Sequence, residues 1–283
     1  MIQNWSFLHW SIHREEARRN REAGLTPPWT SDPIIQKHRF CNVSREDDAV
    51  TRVVKELVRD PMDEAGADPA ELGRALAVAR FFNLPSVLHD LVSAGAITET
   101  SVNLELVYRI CQGRMNRGVG SFNSAYLVGA PPGQLVEPFI FPGKVAYVCS
   151  IIHRTTFPRV AKSREEYVKT LRKEVGYKDF MAGQIAADLA YTHVLRDATD
   201  HLTWAPFGPG AVRGMNLTLG RDTEARMSEE EYLRVGRAQL EALPEDLVAD
   251  RKLTLHDVAS NVNCETFKYV RIQQGGHTGR KFP

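Results

Sequence analysis

Val50, Val53, Val54, Leu57 and Val58 recur at i, i+3, i+4, i+7 and i+8, which places them on one face of a helix opened by Ser44. Upstream, residues 5–23 combine aromatics with an Arg/Glu-rich stretch ending at Gly24, and 25–43 read as an extended, proline-rich connection. Asp68-Pro69-Ala70-Glu71 supplies an N-cap, a proline at the first helical position and an acid at the third, so a helix is expected to about Phe82. Another follows from Asn83 to Ala94 before Gly95, and a further one from Thr100 to Met115, ending near Gly118. Residues 118–143 break the pattern, because Gly and Pro punctuate them throughout; a loop with a short strand pair is predicted there. Helices resume at about Lys144–Arg154, after the capping boxes at Ser163 and Ser228, and from Thr254 to Tyr269. No β/α alternation of a doubly wound sheet is present. The predicted class is mainly α, with 1–283 forming one compact helical unit and two packed lobes as the alternative.

The segment 163–195 reads as two helices around a tight glycine turn. Val168, Leu171 and Val175 set the apolar stripe of the first helix, and Gly176 is able to take a positive φ. Asp179 is expected to cap the second, which carries Phe180, Ala182, Ile185, Ala186 and Leu189. Such a turn aims backbone N–H groups at a DNA phosphate, with Lys173 and Lys178 beside it. It is equally the ordinary joint between two helices of a bundle.

Composition narrows the classes. Hydrophobic residues make up 43% and charged residues 25%, which argues against disorder. No apolar run approaches the ~20 residues of a membrane span, and the N-terminus lacks the order of a signal peptide. A cytoplasmic protein without a membrane partner is expected. The cysteines Cys41, Cys111, Cys149 and Cys264 form no CxxC or Cys/His array, so neither a zinc site nor an iron–sulfur cluster is predicted. With a net charge of only +1, any phosphate binding must come from a local patch.

Three groups of residues are able to carry chemistry. In RFCNVSREDDAVTR (39–52), Arg45, Asp48 and Arg52 share the helix side opposite the valines; the guanidinium forks suit phosphate, and Asp48 suits a base. A solvated helix face capped by Ser44 and Asp47 is the plain alternative. In FGPGAVRGMN (207–216), Gly208 and Gly210 let a backbone approach phosphate, with Arg213 nearby. Neither this stretch nor GRMNRGVG (113–120) leads into a Lys-Ser/Thr pair, so no Walker loop is read. The acids Asp188, Asp197, Asp200 and Glu265 lie on or after predicted helices, and burial would have to tune any catalytic one. His153, His193 and His201 have ordinary structural readings.

Taken together, PWTSDPIIQKHRFCNVSREDDAVTR (28–52), SFNSAYLV (121–128), GK (143–144), VGYKDFMAGQIAADLAYT (175–192), FGPGAVRG (207–214) and NCETFKY (263–269) resemble a known family. It is that of the phage thymine-hypermodification proteins called α-glutamyl/putrescinyl thymine pyrophosphorylases, or amino acid:DNA transferases. A related helical domain accompanies the 5-hydroxymethyluracil DNA kinases of the same pathways. The resemblance covers most of the chain and implies a fold similar to helix-hairpin-helix DNA glycosylases.

It also implies a reaction on double-stranded DNA with the modified base flipped out of the stack. A separate kinase activates 5-hydroxymethyluracil as a pyrophosphate ester, and the transferase displaces pyrophosphate with an amine: an amino acid, glycine favoured, or a polyamine. On that reading Arg39, Arg45, Arg52 and Lys144 bind pyrophosphate, while Asp48, Asp188 and Glu265 activate or recognise the amine. Gly176, Lys178 and the Gly208–Gly210 turn with Arg213 hold the DNA backbone. In the glycosylases the essential aspartate lies just beyond the second hairpin helix, nearer Asp197 here than Asp188, although Asp188 sits in the family-like stretch and is preferred. No cofactor is required outright; Mg²⁺ suits the carboxylates, with its ligands unassigned. The host cell's cytoplasm is the expected location if a phage encodes the chain. Two other functions compete: a glycosylase that excises a modified base, and a non-catalytic DNA-binding helical module that partners a 5-hydroxymethyluracil DNA kinase.

Overall fold

A computed structural model describes residues 2–123, 137–139 and 143–276. The chain divides into two compact units, one formed by Met1–Asp48 with His201–Pro283 and the other by Ala49–Asp200. The first opens with α1 (Ser6–Glu22) and α2 (Pro33–Lys37). The second holds α3 (Ala49–Val54), α4 (Asp60–Glu64), α5 (Pro69–Phe82), α6 (Pro85–Ser93), α7 (Leu104–Asn116), α8 (Lys144–Arg154), α9 (Arg164–Leu171) and α10 (Asp179–Leu189). The first then resumes with α11 (Pro209–Thr218), α12 (Glu229–Ala242), α13 (Glu245–Arg251) and α14 (Asn263–Gln273). Among the described residues strand-like structure is limited to isolated bridge positions, at His38 and in the antiparallel pair Ile97–Val102, so the mainly α expectation holds.

In the Ala49–Asp200 unit, α5 is the central element and packs on α8 and α10. Its predicted limits are those observed: Asp68 Oδ1 accepts the Ala70 N–H at 2.9 Å, and Asn83 closes the C-terminus in the left-handed region at φ 48°. From Leu72 to Phe82 only Arg74 escapes full burial, consistent with a helix surrounded by others. The helix expected from Thr100 begins later, at Leu104. The bridge occupies 97–102, and Asn103 caps α7 by accepting the Leu106 N–H at 3.0 Å.

The helix expected from Ser44 is interrupted. Arg45–Asp47 form one 3₁₀ turn, Asp48 is extended at ψ 136°, and α3 starts at Ala49. The cause is competition from side chains. Asp48 accepts the backbone N–H of Asn42, which draws it back onto the extended stretch before Ser44, while Asp257, in the segment Asp257–Val262, accepts the Arg45 N–H at the start of the turn. Arg45, Asp48 and Arg52 therefore do not share a helix face. Beyond α3 a π-helical turn at Lys55–Arg59 shifts the apolar phase, leaving Val54, Val58 and Met62 fully buried and Val50, Val53 and Leu57 partly so.

The glycine hairpin is present, with altered details. Ser163 Oγ accepts the Glu166 N–H at 3.1 Å, and Asp200 accepts the N–H groups of Arg164 and Glu165 at 2.9 Å each. α9 ends at Leu171, which leaves Val175 in the turn and half-exposed, as Phe180 is on α10. Gly176 takes φ +88°, and a Cβ there would fall 2.6 Å from Ile151 Cδ1, so glycine is required twice over. Asp179 is the first residue of α10 rather than its cap; Lys178 holds the cap position, and Asp179 pairs with Arg172 at 2.8 Å.

In the other unit α1 packs on α14, and α11 lies along α14. Phe7, Trp10, Val43, Val258 and Val262 fill one core cluster; Ala211, Met215, Tyr232, Leu255 and Ala259 fill a second. The predicted start of the last helix is marked by Thr254, whose N–H and hydroxyl both donate to Asp257 Oδ2, at 2.9 and 2.8 Å. Two of the glycines of 208–214, Gly210 and Gly214, serve this packing. Gly208 is the N-cap of α11, a Cβ on Gly210 would meet Cys264 Sγ at 2.9 Å, and one on Gly214 would lie 2.0 Å from the Asn263 carbonyl oxygen. Gly214→Ala is accordingly expected to lower stability by roughly 1–3 kcal/mol through forced separation of α11 and α14. A lower denaturant midpoint with an unchanged m-value is the measurement that checks it.

Candidate active site

Within the first unit, the stretch 39–42 runs between α1 and α14. Trp10 and Arg14 are one turn apart on α1, the first edge-on to the Phe40 ring at 6.2 Å and the second donating from Nε to the Cys41 carbonyl at 2.9 Å. The other arm of Arg14 donates to Asn42 Oδ1. From the opposite side Asn261, Glu265 and Tyr269, spaced by four, meet the same stretch. Asn261 Nδ2 donates to the Asn42 carbonyl at 2.8 Å, and the Tyr269 ring lies 6.2 Å from that of Phe40.

This clamp brings two acids onto consecutive peptide groups. The Cys41 N–H donates to Glu265 Oε2 at 3.2 Å, and the Asn42 N–H donates to Asp48 Oδ1 at 2.7 Å. Asn42 Nδ2 adds bonds to the Asp47 carbonyl at 2.7 Å and to Asp48 Oδ1 at 3.2 Å. Cations surround the pair. Lys268 lies 3.5 Å from Glu265, donates to the Arg39 carbonyl and covers the Phe40 ring at 4.7 Å. Arg45 is buried, with its backbone N–H bound to Asp257 at 3.0 Å.

Burial lifts the Asp48 carboxyl to about 7; the Asn42 N–H opposes the rise, the Glu265 charge adds to it, and Arg14 and Arg45 oppose it. Burial also pulls the Arg14 guanidinium below the ordinary arginine range, with the Asp48 charge working against that shift. An acid that exchanges its proton near neutrality, beside a second carboxylate and several cations, is equipped to hold an ammonium group and accept its proton.

Of the residues expected from sequence, Asp48, Glu265, Arg45 and Arg39 come together here, Arg39 with an exposed side chain. Arg52, on α3, and Lys144, the first residue of α8, belong to the other unit, where Lys144 Nζ sits 4.3 Å above the Phe122 ring. Asp188 also lies there, fully buried in a bidentate pair with Arg80 at 2.6 Å per bond. A carboxylate sealed this way ties α10 to α5, and it belongs to the unit that does not hold the Asp48–Glu265 pair. Asp197 is exposed beyond α10, and Asp200 is occupied with the start of α9. Gly176 and Lys178 sit at the hairpin turn. Gly208 and Gly210 lie at the start of α11, where Arg213 forms a bidentate pair with Glu224 at 2.7 and 3.1 Å. Most of SFNSAYLV, from Ser124 onward, lies outside the described residues.

Arg14, Asn42, Asn261 and Lys268 were not anticipated. The one signal available for them was the four-residue spacing of Asn261, Glu265 and Tyr269 along a predicted helix.

Fold and site together define a helical protein with a paired-acid centre set among arginine and lysine side chains. Over residues 3–278 the chain matches the family described as 5-hmdU DNA kinase, helical domain, and it belongs to that family. The membership associates it with modification of 5-hydroxymethyluracil in DNA. No curated protein and no solved structure matches the chain. Among the described residues no helix is long and apolar enough to cross a membrane.

Proposed function

We propose that the chain is a DNA base-modifying transferase, which replaces the pyrophosphate of pyrophosphorylated 5-hydroxymethyluracil with an amine. The observation that carries this reading is the Asp48–Glu265 pair, held on two consecutive peptide N–H groups with Asp48 lifted to about 7. An amino acid or polyamine arrives as an ammonium ion and is nucleophilic only after losing a proton. Two carboxylates attract the ammonium, and the one with the raised pKa accepts that proton at neutral pH.

The leaving pyrophosphate needs positive charge around it. Arg39, Arg45 and Lys268 supply it within this unit, and Arg52 and Lys144 remain candidates for the same task. Gly176 and Lys178 at the hairpin, and Gly208, Gly210 and Arg213 on α11, are assigned to the backbone of double-stranded DNA whose modified base is flipped. The likeness to helix-hairpin-helix glycosylases belongs to this proposal, as does action in the cytoplasm of a host cell. Mg²⁺ is a compatible cofactor to which no ligands are assigned. Glycine is the favoured amine.

The family's description favours a second reading, in which the chain is a DNA-binding helical module working with a 5-hydroxymethyluracil DNA kinase. One experiment separates them. Pyrophosphorylated 5-hydroxymethyluracil DNA is incubated with the protein and a pool of amino acids and polyamines, then digested for nucleoside mass analysis. A heavier nucleoside with released pyrophosphate is the expected result. An abasic site would identify a glycosylase instead, and unchanged DNA that is bound by the protein would leave the module reading.

A further inference from the structure

The cations around the acid pair continue beyond it on α14. At about 100° per residue, Glu265, Lys268, Arg271 and Phe267 follow one another around this helix, with Glu265 and Arg271 about 9 Å apart along its axis. Lys268 Nζ lies 3.5 Å from Glu265 and 4.7 Å from the centre of the Phe40 ring. The half-buried Phe267 ring carries two guanidiniums, Arg271 of the same helix at 5.7 Å and Arg213 of α11 at 5.9 Å. A ring in this role holds a cation in place at the surface without neutralising it.

These cations are open to a further anion. Arg271 is exposed and, among the described residues, has no carboxylate partner. Lys268 gives two of its three hydrogens to the Arg39 carbonyl and Glu265. Arg213 pairs with Glu224, but the two side chains are 40% and 67% exposed, and a surface pair of that kind contributes little. A phosphate can take the same fork in place of the carboxylate. In a chain of net charge +1, three cations on two rings beside the acid pair form the local patch that phosphate binding requires. A flipped base stays covalently joined to its own backbone, so the phosphates flanking it must pass close to the reacting group.

We propose that Lys268, Arg271 and Arg213, carried on Phe40 and Phe267, form a track for the sugar–phosphate backbone of the DNA strand that presents its base to Asp48 and Glu265. The inference deepens the proposed function and rests on its choice of DNA as substrate; it needs no particular amine. Charge complementarity selects the partner, because a strand's phosphates are the anions that a row of forks and ammonium groups fits. Contacts of this kind fix register and carry no sequence information, so the track positions the strand and leaves the modified base to the acid-pair site. Lys268 stands where the track meets the cations assigned to pyrophosphate, and Arg271 continues it along α14.

Binding to a labelled duplex carrying one 5-hydroxymethyluracil, followed by fluorescence anisotropy over a range of salt, tests this. Arg271→Ala removes an exposed side chain that has no carboxylate partner among the described residues, so the fold is expected to be unaffected. The slope of log affinity against log salt should fall by about 1, and affinity by roughly tenfold at about 0.1 M salt. Adding Arg213→Ala should lower the slope by about 1 more. Phe267→Leu keeps both charges and should cost roughly threefold in affinity with the slope unchanged. Arg221→Ala, which removes an exposed arginine paired with Glu231, should match the wild type. A double variant with the wild-type slope overturns the track, as does an equal loss in Arg221→Ala or a wild type that does not bind the duplex. Transfer is read separately. Wild-type protein that binds through these residues but transfers no amine overturns the transferase reading and leaves the track standing.

Discussion

Asp188→Ala is expected to destabilise the fold by about 3–5 kcal/mol, the largest stability loss that any single change here should produce. The substitution leaves the Arg80 guanidinium, 2% exposed, without the carboxylate that takes two of its hydrogen bonds, and a contact to Thr51 Oγ1 at 3.2 Å is a weak replacement. The penalty comes from stranding a charge, so removing both partners should be much milder. Arg80→Met with Asp188→Leu is expected to recover most or all of the stability, since a buried pair replaced by apolar groups of similar size is often neutral. Denaturant midpoints of the two single variants and the double one complete the cycle. The same set decides between structure and catalysis. If Asp188 were the catalytic base, the double variant would be stable and dead; if it ties α10 to α5, the double variant regains transfer along with stability.

The sequence carried some levels of this protein better than others. Helix α5 was readable to the residue because its signals are local: an Asp-Pro start and an Asn able to adopt φ 48° at its end. The starts at Ser163 and Thr254 and the glycine of the hairpin were local in the same sense. The break at Asp48 was not, because the bond that holds Asp48 extended, to the Asn42 N–H, is made by a folded arrangement that helical periodicity does not record. Asp48 and Glu265 were singled out for chemistry from sequence, but their meeting depends on two consecutive amides at Cys41 and Asn42, which no periodicity records. Gly210 shows the converse. Its spacing from Gly208 suggested a phosphate turn, whereas the close approach of α11 to α14 that it shares with Gly214 left no mark in that spacing.

Asp48→Asn is expected to remove transfer activity by a factor on the order of 10²–10⁴ while making the protein more stable at alkaline pH. The carboxyl is lifted from an ordinary 3.8 to about 7, chiefly by burial. Between those values the folded state holds a proton that the unfolded chain has already lost, so stability from this group falls as pH rises from about 4 to about 7 and is level above. A shift of about three units sets an upper bound on the order of 4 kcal/mol for that loss, before neighbouring charges and water reduce it. Asparagine keeps an oxygen to accept the Asn42 N–H and carries no charge to desolvate. Denaturant midpoints should therefore match the wild type near pH 4 and exceed it at pH 8, with the slope between them flattened. A variant that is less stable than wild type at pH 8 would mean that Asp48 is held ionised by Arg14 and Arg45, and the base would have to be sought at Glu265. Gaining stability and losing turnover from one substitution would mark Asp48 as a group kept in an unfavourable setting for its chemistry, because a carboxylate serving only the fold would lose on both counts.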